Sequence, residues 1–216
     1  MLLDSSHWKI KQKADSGDQQ AQYDILLFFY KKMDTSNIIH YGERIVETEC
    51  AIDKDLYVDA HLLLAATYMD SERTQDAATL LEKAHKFTQT YSFISKYHTC
   101  LVEHLVTFKK ILDLEYKIEK GEQQALFDLA MLFDNEGNDR KASVLFEKII
   151  NQVCEISKED YFTSYMYAAM HKEGKESLSI YKKAKNYMEN NFPPAEWVLE
   201  LYQCIIDTEN EIIEQS

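Results

Sequence analysis

The chain has 216 residues, with 24 Lys+Arg against 37 Asp+Glu and a formal net charge of −13 at pH 7. Its 45% hydrophobic and 28% charged fractions are those of a chain that buries a core, which excludes intrinsic disorder. Only five glycines and two prolines are present, too few for the turn every ~8–12 residues that a sandwich or barrel needs, so the composition predicts an all-α protein.

The N-terminus, Met1-Leu2-Leu3-Asp4-Ser5-Ser6-His7-Trp8, has no basic stretch followed by an apolar core, so no secretory signal is expected. No run approaches the roughly 18 uncharged apolar residues of a membrane span. The basic clusters Lys31-Lys32, Lys109-Lys110 and Lys182-Lys183-Lys185 are short and lie among acids. They read as solvated helix faces and do not offer the clustered cations that phosphate backbones require. A cytoplasmic protein with no nucleic-acid or membrane partner is the expectation, and the acidic excess favours a neutral or basic protein partner.

Along the chain the dominant signal is repetition. Gly17-Asp18-Gln19-Gln20-Ala21-Gln22-Tyr23-Asp24-Ile25-Leu26-Leu27-Phe28-Phe29 returns 104 residues later as Gly121-Glu122-Gln123-Gln124-Ala125-Leu126-Phe127-Asp128-Leu129-Ala130-Met131-Leu132-Phe133. That offset is close to three units of about 34 residues, a length typical of two-helix repeats. Within one unit, about 59–88, Ala65, Tyr68, Ala77, Leu81 and Ala84 mark a fixed spacing; Ala130, Phe133, Ala142, Phe146 and Ile149 reproduce it at about 122–152. Small residues let two helices approach, and large ones fill the space beside them. The polar turns 70–74 and 134–138 join the helices, with Gly137 suited to positive φ. More degenerate units are read at about 19–48 and 160–190. Residues 90–120 keep helical apolar spacing without a Gly or Pro breaker, and form either a decayed repeat of two helices or one long helix. After Pro193-Pro194, residues 195–214 form an amphipathic helix through Trp197, Leu201, Ile205, Ile212 and Ile213, suited to cap the last repeat.

On these residues the chain resembles the tetratricopeptide repeat, and the turns Ala14-Asp15-Ser16-Gly17-(x3)-Ala21 and Glu119-Lys120-Gly121-(x3)-Ala125 resemble its Sel1-like relative. The resemblance implies a single domain over 1–216, an all-α, right-handed α-solenoid of helix hairpins with a C-terminal capping helix. It also implies a concave groove lined by the first helix of each unit, where a partner segment binds. Carried over, the groove residues are Tyr23, Leu27 and Tyr30; Leu62, Met69 and Asp70; Phe127, Met131, Asp134 and Asn135; and Phe162, Met166 and Met170. This Met-rich, aromatic stripe has two readings: an adaptable groove for a partner segment with apolar and basic residues, or core.

Catalytic signatures are missing. Neither a Gly-rich phosphate loop nor H-E-x-x-H, G-x-S-x-G or C-x-x-C occurs. Cys50, Cys100, Cys154 and Cys204 are far too widely spaced for the paired ligands of a zinc site and are expected to be free thiols. Cys100 and His104 stand one helical turn apart beside His98, but two ligands on one face do not complete a coordination sphere. The Glu82-x-x-His85 motif has no second copy. A non-catalytic interaction module or adaptor, of chaperone or immunity type and without cofactor or metal, is therefore expected. The competing class is a metal-binding helical protein or small enzyme using the His98/Cys100/His104 region or surface carboxylates.

Overall fold

The computed structural model describes residues 5–92, 95–152, 155–192 and 206–207. Among them the chain is all-α, with ten helices and no strand: α1 (Ser5–Asp15), α2 (Gln19–Lys31), α3 (Thr35–Val46), α4 (Lys54–Asp70), α5 (Thr74–Thr90), α6 (His98–Glu119), α7 (Gln123–Asn135), α8 (Asp139–Ile150), α9 (Lys158–Met170) and α10 (Gly174–Asn191). Within residues 90–120, where the sequence allowed one helix or two, 98–119 form the single helix α6. The proposed capping helix lies outside the described residues except for 206–207, which are helical. No helix among those described is long and apolar enough to cross a membrane. The chain divides into two compact units, Met1–Leu112 and Asp113–Ser216, with the division inside α6. In the first, α1 to α5 pack each on the next; in the second, α7 to α10 do so.

Five turns are built the same way. After α1, α2, α4, α6 and α7, one residue takes positive φ: Gly17 (101°), Met33 (55°), Glu72 (61°), Gly121 (86°) and Gly137 (72°). The N–H of the following residue then reaches back five residues: Asp18 to the Lys13 carbonyl at 3.1 Å, Asp34 to Phe29 at 3.1 Å, Arg73 to Tyr68 at 2.8 Å, Glu122 to Lys117 at 3.0 Å and Asn138 to Phe133 at 2.8 Å. This is the Schellman closure, which satisfies helix-end carbonyls while reversing the chain within three residues. Where that next residue has a short polar side chain it also caps the new helix: Asp18 accepts from the Ala21 N–H, Asp34 from Asn37 and Asn138 from Lys141. One residue thus ends one helix and starts another.

The two units are copies of one plan. The bounds of α7 and α8 are those of α2 and α3 moved by 104 residues (19 to 123, 31 to 135, 35 to 139, 46 to 150). Side-chain bonds follow the same shift. Gln19 bridges α2 to the loop after α3, donating to the Ile45 carbonyl at 3.1 Å and accepting from the Ala51 N–H at 2.6 Å. Gln123 accepts likewise from the Glu155 N–H. The copies part company in α4, which has 17 residues against 13 in α9. That is one extra helical turn, and beyond it the shift becomes 100. Ala77, Leu81, Ala84 and Thr88 of α5 are buried, as are Ser177, Tyr181, Ala184 and Met188 of α10.

The core of each unit is made by the residues that carry the repeat spacing. Ala65, Tyr68, Ala77, Leu81 and Ala84 are all buried in the first unit, and Ala130, Phe133, Ala142, Phe146 and Ile149 in the second. The alanines at helix crossings have no accessible surface, so the helix backbones approach as closely as a methyl group permits.

Candidate functional site

In the second unit, three helix ends meet. Asp134 lies in the last turn of α7, Asp139 is the first residue of α8, and His171 is the C-cap of α9. The turn between α7 and α8 is held by Gly137 at positive φ and by the Asn138 cap, so the two aspartates are fixed on either side of one tight reversal. His171 donates its backbone N–H to the Tyr167 carbonyl at 3.2 Å. Its imidazole Nε2 faces Oδ1 of Asp134 at 3.4 Å. The ligand-type atoms of Asp134, Asp139 and His171 all lie within 4.8 Å of one another.

Beside this cluster opens a cleft of about 580 Å³ between the start of α8 and the end of α9. Its walls include Arg140, Val144 and Glu147 on one side and Met170, His171 and Lys172 on the other. Lys172 Nζ pairs with Glu147 Oε1 at 2.6 Å, which raises the lysine above its ordinary pKa. Ser143 donates to the same carboxylate oxygen at 3.3 Å. Two large apolar side chains stand open here, Val144 at 61% and Met170 at 65% exposure. The site therefore combines two open apolar side chains, an ion pair and an acidic rim with an imidazole.

The residues carried over as groove positions divide into two classes. Tyr23, Leu62, Met69, Phe127 and Phe162 are buried. Tyr23 donates to Oδ2 of Asp59 at 2.5 Å, and burial together with that carboxylate pushes its phenol well above the usual range. Phe127 packs edge-on against Phe146 and Phe162 against Phe192. Leu27, Met131, Asp134 and Met166 are half-buried, while Tyr30, Asp70, Asn135 and Met170 are exposed. The accessible part of the stripe thus lies at helix C-termini, and in the second unit Asp134 and Met170 belong to the acidic cluster and the cleft.

The sequence points to Asp134, Asn135 and Met170 but not to Asp139, Val144 and His171. The available signal was the repeat register. If the first helices of successive pairs end at one level, the residue after Met170 comes beside the turn after Asp134. The His98/Cys100/His104 segment lies in α6 of the first unit. Cys100 Sγ stands 3.6 Å from His104 Nδ1, and burial raises the thiol's pKa. The His98 ring lies 6.3 Å from that of His85.

No protein-family model, curated protein or solved structure matches this chain significantly.

Proposed function

We propose that the chain is a non-catalytic protein-interaction module whose helix pairs act as tetratricopeptide- or Sel1-like repeats within each unit. In this reading the cleft of the second unit, between the start of α8 and the end of α9, receives a segment of a partner protein. The observation that carries it is the joint exposure of Val144 and Met170 on one cleft, in a unit whose large signature residues Phe133, Phe146 and Ile149 are buried. Methionine adapts its shape to a partner surface, and an exposed apolar pair beside fixed charges is how a rim and an anchor are arranged at interfaces. The charge of −13 favours a partner segment with apolar anchors and basic flanks, as a chaperone or an immunity-type protein would meet.

Affinity capture from the native lysate tests the reading, with wild type beside a Val144→Ser/Met170→Ser variant whose helical content is verified by circular dichroism. A protein retained by wild type and lost by the folded variant supports it and identifies the partner. Retention of the same proteins by both places the interaction on another surface and overturns the assignment to this cleft.

A further inference from the structure

His171 presents an unresolved need. Its Nε2 is shut off from solvent and has no hydrogen-bond partner, and the side chain as a whole is only 15% exposed. The Asp134 oxygen that it faces stands at 3.4 Å, whereas a charge-assisted N–H···O bond closes to about 2.7–2.9 Å. Buried polar atoms are nearly always satisfied, and those that are not call for a specific explanation such as a bound ion.

The spacing supplies one. Ligands bound to zinc at about 2.0–2.1 Å in a tetrahedron lie about 3.3 Å apart, which is the separation already held between His171 and Asp134. Asp139 adds a second carboxylate within 4.8 Å, and it is exposed on the first turn of α8, so rotation of its short side chain closes the remaining distance. The neighbouring cation Lys172 is engaged by Glu147 at 2.6 Å. Asp134 and Asp139 flank the Schellman turn and Asn138 cap between α7 and α8, and His171 ends α9 with its backbone N–H on the Tyr167 carbonyl, so all three ligands stand on formed helix ends.

We propose that Asp134, Asp139 and His171 form a binding site for one divalent transition-metal ion of the zinc class, with its remaining coordination position open toward the cleft that Asp139 and His171 line. One imidazole with two carboxylates suits zinc and its borderline neighbours. Calcium and magnesium take oxygen ligands, in larger number or with several retained waters. The site stands on this geometry alone and does not depend on the cleft receiving a protein.

Calorimetric titration of the full-length protein with Zn²⁺ tests it, alongside Co²⁺ titration read by visible absorption. One ion per chain is expected, with the intense bands of tetrahedral cobalt. His171→Gln and Asp134→Asn should each weaken binding at least about tenfold, while His85→Gln, at a half-buried imidazole of the first unit, leaves it unchanged. Imidazole ¹H–¹⁵N spectra of the wild-type protein provide a readout that needs no variant: Zn²⁺ should shift the His171 ring nitrogens. Absence of zinc binding overturns the proposal, as does a titration that leaves the His171 resonances in place. Binding of equal affinity in wild type, His171→Gln and Asp134→Asn also overturns it.

Discussion

Tyr161 stands to the loop after α8 as Tyr57 stands to the loop after α3. The Tyr57 hydroxyl lies 3.4 Å from the Val46 carbonyl and 3.1 Å from that of Thr48; the Tyr161 hydroxyl lies 3.4 Å from Ile150 and 3.3 Å from Gln152. All three positions are displaced by the same 104 residues. In each unit one phenol ties the second helix of a pair to the first helix of the next. Its hydroxyl satisfies carbonyls left over at a helix end. Phenylalanine in its place should cost about 0.5–1.5 kcal/mol. The larger loss is expected for Tyr57→Phe, because Tyr57 is buried and Tyr161 only half-buried. Urea denaturation followed by circular dichroism reads the difference. Equal, negligible effects would show that these bonds do not hold the loops.

Met33 occupies the turn position that glycine takes at 17, 121 and 137. Its φ is 55° and it is 81% exposed, so its side chain contributes little burial to offset left-handed strain. Met33→Gly should therefore stabilise the first unit by about 0.5–1 kcal/mol, the strain relieved exceeding the added freedom of the unfolded chain. A lower melting temperature for the variant would contradict this.

His61 gives the first unit a pH dependence of known sign. It is buried, and its Nδ1 lies 2.8 Å from the Tyr57 carbonyl. Burial first, with Lys83 adding to it, lowers its pKa from 6.5 to about 4. The folded protein thus holds His61 neutral where the unfolded chain protonates it. Its contribution is complete above pH 6.5 and falls as pH drops through the window to about 4, by roughly 3 kcal/mol in total. His61→Gln should flatten the stability profile between pH 6.5 and 5 relative to wild type. Parallel profiles for the two proteins would sink the prediction.

Gly42 in α3 is a packing glycine. A Cβ there would meet Leu64 of α4 at 3.1 Å from Cδ1 and 3.3 Å from Cβ, and Leu64 has no accessible surface into which to retreat. The alanine gains helix propensity but overpacks the crossing, for a net loss of about 1 kcal/mol. Leu64→Ala in the Gly42→Ala background should recover part of that loss, and a double-mutant cycle measures it. Strict additivity of the two changes would refute the steric account.

The helix pairs were legible because two physical signals agree: small residues such as Ala65 and Ala77 mark crossings, and polar stretches such as 134–138 mark reversals. Residues 90–120 stayed ambiguous for the converse reason. Apolar spacing through Leu101, Phe108 and Ile111 is the same in one long helix as in two, and no breaker decides the matter. The site was half legible. Asp134 and Met170 follow from register along single helices, whereas pairing Asp134 with His171 depends on how α7 and α9 end at one place. Burial of Tyr23 and Phe127 was hidden for a related reason: a stripe of aromatics at helical spacing looks the same whether or not another helix covers it.

The shared turn geometry also bears on how such a chain changes during evolution. Asp18 and Glu122 close equivalent turns after α1 and α6, and the helices that follow have equal lengths. Recombination between these two points removes or adds 104 residues without altering the closure of the turn, the reading frame or the phase of the following helices. Copy number at this seam is accordingly a variable that natural selection can adjust in a single step, while the extra turn in α4 marks which copy a segment came from.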